Sequence, residues 1–276
     1  MRIHENSHLY TLPSLTLPVH PFYSMLVSFS TKAALVFLLT GVATLPSESE
    51  QYRRQVLASS DLKPTELSRQ YTARSFAPLW LHSDPDLVFG FIGDGYRRLQ
   101  VKLLTIRPDA QQPGRYTVTG KAKVGTNITG FQGTFVLLHV RENKARPRAA
   151  DDMPTKAVKA GIALVEYELR EPEGQPTAGV FRGVLCTQWY QDRHGKLYYN
   201  DLQNYSDNYE NNQFVGTWQS YKTGQVKRCN WGDYRMPNSG DFDQGAGEFS
   251  PQEKYWANGW QAFKGGGYQR DKAWWK

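Results

Sequence analysis

The stretch RYTVTGKAKV (115–124) decides the reading of the fold. Tyr116, Val118, Gly120 and Ala122 fall on one face, and Thr117, Thr119, Lys121 and Lys123 on the other. A period of two is the mark of a strand with one buried face. The strand follows RRLQVKLLTI (97–106) across the turn PDAQQPG (108–114), so the two segments form a hairpin.

Three more hairpins follow the same plan. GTFVLLHVRE (133–142) leads through a long basic loop to GIALVEYELRE (161–171), in which Ala163, Val165, Tyr167 and Leu169 share a face. GVLCTQWYQ (183–191) and KLYYNDL (196–202) flank Asp192-Arg193-His194-Gly195. GTWQSYK (216–222) and VKRCNWGDY (226–234) flank Thr223-Gly224. Each hairpin is opened by Phe-x-Gly, at Phe91-Ile92-Gly93, Phe131-Gln132-Gly133, Phe181-Arg182-Gly183 and Phe214-Val215-Gly216. Residues two apart face the same side, so the four Phe and their Gly are expected on one shared inner face. Four hairpins make eight antiparallel strands. Closing the meander into an up-and-down barrel removes both sheet edges; a β-sandwich is the alternative.

Gly216-Thr217-Trp218 at a strand start resembles the Gly-x-Trp signature of the lipocalin and avidin-like (calycin-type) barrels. The resemblance implies an up-and-down barrel whose cavity binds a small apolar or amphipathic molecule, with the Trp packed across one barrel end. In those families the motif opens the first strand; here it opens the seventh.

Residues 1–43 read as a leader followed by a signal peptide, with Met25 as the expected start. Lys32 is the basic residue, Ala33–Leu39 the apolar run, and Gly41-Val42-Ala43 the small-residue cleavage site. The apolar run is shorter than the ~20 residues a membrane helix needs. Export places the mature chain outside the cell or in the periplasm, with no membrane span once the signal is removed. Residues 44–75 carry short helices, 76–237 the barrel, and 238–276 a loop, a helix and an aromatic tail. In the last segment Ser250-Pro251-Gln252-Glu253 reads as a capping box. It predicts a helix over 251–263 that stops at Gly265-Gly266-Gly267 and packs Tyr255, Trp256, Trp260 and Phe263 on the barrel.

The chain has 276 residues and a net charge of +7. Its basic run, Arg141 to Lys159, lacks interleaved aromatics and reads as a solvated loop, so no nucleic-acid partner is expected. Cys186 and Cys229 are the two cysteines, and in an exported chain they are expected to form a disulfide. Trp189, Trp218, Tyr167, Tyr199 and Trp231 are the candidate ligand-binding residues, because aromatic rings suit amphiphiles and sugars. Asp241, Asp243 and Glu248, in a Gly-rich loop, suit Ca²⁺ as hard oxygen ligands, although the spacing is not an EF-hand. Apart from that ion no cofactor is expected. No Gly-x-Ser-x-Gly, His-Glu-x-x-His or P-loop is present, and no catalytic set can be assigned.

These features point to an exported, non-catalytic barrel that binds a small amphipathic, apolar or sugar-like ligand or a surface glycan. The alternatives are a secreted hydrolase using the loop carboxylates and a surface interaction protein using Trp274 and Trp275. The export reading predicts that N-terminal sequencing of the exported protein begins near Thr44. Full-length protein retained in the cytosol would refute it.

Overall fold

The computed structural model describes residues 47–264 and 273–276. The leader, the signal peptide and the triple-glycine helix stop lie outside the described residues. Three short helices come first: α1 (Ser47–Leu57), α2 (Ser68–Tyr71) and α3 (Ala77–Trp80). Nine strands follow: β1 (Val88–Ile92), β2 (Arg97–Pro108), β3 (Arg115–Val124), β4 (Asn127–Glu142), β5 (Ala157–Arg170), β6 (Gly179–Asp192), β7 (Leu197–Tyr199), β8 (Asn211–Ser220) and β9 (Val226–Asp233). All pairings are antiparallel, in the order β5-β4-β3-β2-β1-β9-β8-β6, and β5 also pairs with β6. Eight strands therefore form a closed, barrel-like ring, and the open two-sheet alternative does not apply.

The ring has the expected number of strands but a different membership. KLYYNDL forms only the three-residue β7, which pairs with β6 along Trp189–Gln191, beyond the part of β6 that β8 covers. Between the two pairings, the Asn211 side chain accepts from the Gln188 N–H at 2.7 Å and donates to its carbonyl at 3.0 Å. A buried amide thus replaces a backbone partner on β6, because buried backbone polar groups must be bonded. The missing ring member is β1, VFGFI, which closes the circle by pairing Val88–Ile92 with Asp233–Cys229. It is short and centred on Gly90, and a strand period needs more residues to show.

Of the four Phe-x-Gly units, three are equivalent. Phe131, Phe181 and Phe214 point into the main core, with Gly133, Gly183 and Gly216 two residues on. Gly183 and Gly216 are direct partners across β6 and β8. A Cβ on Gly216 would lie 2.1 Å from the Arg182 carbonyl and 2.4 Å from the Tyr167 hydroxyl. The bare strands let Tyr167 lie across them. Phe91 corrects the expectation of a shared core. It faces outward with Phe89, in a second cluster with Tyr96, Met236, Phe242 and Trp260, and Gly93 sits in a turn at φ +77°.

One end of the ring is plugged by the segment carrying α2 and α3. Leu67, Tyr71, Phe76, Leu79 and Trp80 join the main core there. Trp80 meets Tyr116 and Phe135 edge-on at 4.8 and 5.2 Å. Fully burying an aromatic such as Phe76 or Phe135 contributes about 1.5–3 kcal/mol. Outside, α1 covers Leu164 and Cys186 with Tyr52 and Val56.

The expected helix over 251–263 is instead two 3₁₀ turns, Glu253–Asn258 and Gln261–Phe263, separated by left-handed Gly259. Ser250 makes no capping box: its N–H donates to Asp243 at 3.0 Å, and Pro251 bridges Asp243. The four aromatics still pack on the ring, and Trp260 is fully buried against the outward face of β1.

The disulfide is also corrected: Cys186 and Cys229 are both buried free thiols. Their side chains lie on opposite faces of the sheet. Cys186 points outward under α1, whereas Cys229 shares the inward parity of Trp231. No short S–S bond can pass through the wall. Burial pushes the Cys186 thiol up to about 12 and raises Cys229 well above the usual thiol range. Denatured, non-reduced protein should therefore titrate two thiols, and folded protein should show almost none reacting on the same timescale. Absence of free thiol on denaturation would overturn this arrangement.

Candidate functional site

Four of the five aromatics singled out as ligand residues lie in the packed core. Trp189, Tyr167, Trp231 and Tyr199 are all buried. Trp231 stacks on Phe214 at 4.4 Å and meets Tyr167 at 5.4 Å; Trp189 lies 5.2 Å from Tyr71. An eight-stranded ring has an interior just wide enough for side chains to fill, and these rings fill it. Trp218 is different. It is half-buried and lines a cavity of about 750 Å³ at the end opposite the plug.

Local sequence explains how this mouth is built. The turns after β1, β3 and β8 and the 171–178 connection after β5 rise around it. Its floor is Phe181, Ala122, Val124 and Thr129, all on the inward parity of their strands. Trp218 pairs across the ladder with Lys227, whose ammonium lies 5.7 Å from the indole ring. The indole Nε1 donates to Glu171 Oε2 at 2.9 Å, and the Gly179 N–H donates to the same oxygen at 2.8 Å. Burial raises the Glu171 carboxyl above its ordinary range against the pull of those two bonds. Asn127 donates to Thr177 Oγ1 at 2.9 Å, tying two sides of the rim together.

Glu171, Arg97 and Lys227 were missed in the sequence reading, yet each had a signal. Glu171 continues the inward series Tyr167, Leu169; Arg97 begins the series Leu99, Val101; Lys227 begins the series Cys229, Trp231. A charged residue on an otherwise apolar face marks the point where the core meets the mouth.

The loop carboxylates do not converge. Asp243 accepts two bonds from Arg235 Nη1, at 3.1 and 2.9 Å, and one from the Gly245 N–H. Asp241 pairs with Lys254 and accepts from the Tyr255 hydroxyl at 3.0 Å, while Glu248 offers its backbone carbonyl to Arg235. The carboxylates of Asp241 and Asp243 thus serve to fasten the C-terminal segment. Among the described residues, no three His, Cys, Asp or Glu side chains gather so as to hold a metal ion.

The plugged end has a buried polar network. Asp233 Oδ2 accepts from Ser83 Oγ at 2.7 Å, Tyr199 Oη at 2.8 Å and Asn212 Nδ2 at 3.1 Å. Asn212 also bonds the Leu79 carbonyl, and both Asn212 and the Trp80 indole bond Thr187. The network fastens the plug to β6, β7, β8 and β9. Burial lifts the Asp233 carboxyl to about 7, although its donors and the nearby Lys102 favour the charged form. The folded protein therefore holds a proton on Asp233 that the unfolded chain, near 3.8, releases. Stability from this group is full below about pH 4 and is lost as pH rises to about 7. Urea unfolding between pH 5 and 7 should show stability falling by up to ~1.4 kcal/mol per pH unit. The slope should flatten in Asp233→Asn. A wild-type stability that is level or rising across that window would refute the assignment.

Comparison with protein-family models, with curated proteins and with solved structures returned no match for this chain. What the mouth can do is read from its own side chains.

Proposed function

We propose that this chain is an exported, non-catalytic binding protein whose open mouth holds a small amphipathic ligand. The observation that carries the reading is the cavity of about 750 Å³, with an aromatic and aliphatic floor beneath a polar rim. Small-molecule sites span ~300–1,000 Å³, and this cavity lies in that range, with a lining that mixes apolar and polar side chains. Trp218 supplies a flat apolar face, held by its bond to Glu171, and Phe181 and Ala122 supply the floor. The lipocalin and avidin-like likeness supports the same reading, since Gly216-Thr217-Trp218 sets an indole at one end of the ring. The paired state of Asp241 and Asp243 gives a hydrolytic reading no support.

The test is titration with the uncharged fluorophore N-phenyl-1-naphthylamine, whose emission rises in apolar surroundings. Saturable enhancement is expected for the folded protein. Trp218→Leu, which keeps apolar bulk but loses the indole face, should weaken binding about tenfold, a difference of ~1.4 kcal/mol. Trp256→Ala, on the outer cluster, should leave it unchanged. Absence of saturable binding, or equal binding by the Trp218 variant, would refute the mouth as the site.

A further inference from the structure

We infer that the ligand of this mouth is an amphipathic anion: an apolar body seated on Trp218 and Phe181, and one acidic group held between Arg97 and Lys227. The inference rests on the proposed reading of the mouth as a ligand site and names the chemical class that site would take.

Arg97 and Lys227 both lie on strand positions whose next inward neighbours, Leu99 and Cys229, are core. Their parity turns them toward the ring axis, and both line the cavity. Neither forms an ion pair among the described residues. Arg228, the third cation at the rim, is engaged by Glu48 at 2.9 Å and has no charge to spare.

The two carboxylates of the lining do not neutralise this pair. Asp94 is exposed on the turn after β1. Glu171 is buried and spends Oε2 on Trp218 and Gly179, and its burial works against ionisation. Two cations without ion-pair partners at one cleft, Arg97 exposed and Lys227 half-buried, place a positive potential there. An acidic group entering the mouth is therefore attracted, whereas a cationic one is repelled.

The position of Lys227 adds a geometric constraint. Its ammonium stands over the same indole whose edge is held by Glu171. A ligand ring resting against Trp218 or Phe181 brings a substituent on its outward side toward Lys227 and Arg97. Carboxylate, sulfonate and phosphate esters share this chemistry: a compact oxyanion on a flat apolar body. Arginine engages such oxyanions through its planar fork and lysine as a point charge.

The experiment uses two probes with the same aryl body. One is 8-anilinonaphthalene-1-sulfonate, which is anionic; the other is the uncharged N-phenyl-1-naphthylamine. The folded protein should bind the sulfonate about tenfold more tightly, and raising salt should erode that preference. The double substitution Arg97→Gln and Lys227→Gln should lower sulfonate affinity about tenfold and leave the uncharged probe within about twofold. Because neither side chain holds an ion pair, the variant should keep the wild-type circular dichroism and melting temperature; the single variants serve if it does not. Equal affinity for both probes, or a sulfonate affinity indifferent to both substitutions, would overturn the anion inference and leave the mouth reading intact. Failure of both probes to bind wild-type protein would overturn the mouth reading and the anion inference with it.

Discussion

The ladder between β1 and β9 is the contact on which the rest of the structure depends. Its five residue pairs, Val88↔Asp233 to Ile92↔Cys229, turn an eight-strand meander with two exposed edges into a ring with none. The ladder also sorts side chains. On its inner side β9 sends Cys229 and Trp231 into the core and Asp233 into the plug network. On its outer side β1 presents Phe89 and Phe91, which need cover. The segment from Met236 to Phe263 provides that cover, pinned by Arg235–Asp243 and by the Trp260 indole donating to the Tyr96 carbonyl at 2.7 Å. Without closure, the outer cluster would have no strand to pack on and the plug no wall to bond.

The two ends of the ring solve different problems. At the plugged end a buried carboxyl, one amide, three hydroxyls and an indole satisfy one another, and the chain passes over them as α2 and α3. Such a network specifies one docking of the plug, because any displacement leaves buried polar groups unpaired. At the open end the side chains shorten or become polar: Ala122, Thr129, Asn127, Thr177. The space they leave is the cavity. The middle is tightly filled, to the point that Gly183 and Gly216 have no room for a methyl group beside Tyr167. The filled middle keeps the deeper Trp189, Tyr167 and Trp231 out of the cavity lining, which Trp218 and Phe181 join.

Part of the candidate site was legible in the sequence. Trp218 stood out through its motif, and the inward parity of β5 pointed to Glu171 two residues past Leu169. Arg97 and Lys227 sat on equally readable series, but only convergence of four separate turns makes them neighbours of one cavity. The cysteines teach the same lesson in reverse. Two cysteines in a chain read as exported suggest a bridge, yet pairing depends on which face each strand presents, and these two face opposite ways. The helix expected after Ser250 had its capping residues, but Asp243 took the Ser250 N–H first, and Gly259 ended the first turn in the left-handed region.

Alternation of side chains is a local property, so the sequence by itself determined the long strands, their inward faces and the hairpin turns. Three of the four Phe-x-Gly units followed, because each sits within a strand long enough to show its period. Only the tertiary structure decided that β1 rather than β7 closes the ring, that Phe91 faces outward, and that α2 and α3 plug one end and leave the other open. Those outcomes rest on contacts between distant residues, such as Ser83 with Asp233 and Ser49 with Val215. No period in the chain encodes them; they are settled by which polar groups can be satisfied, and which apolar faces covered, once the ring has closed.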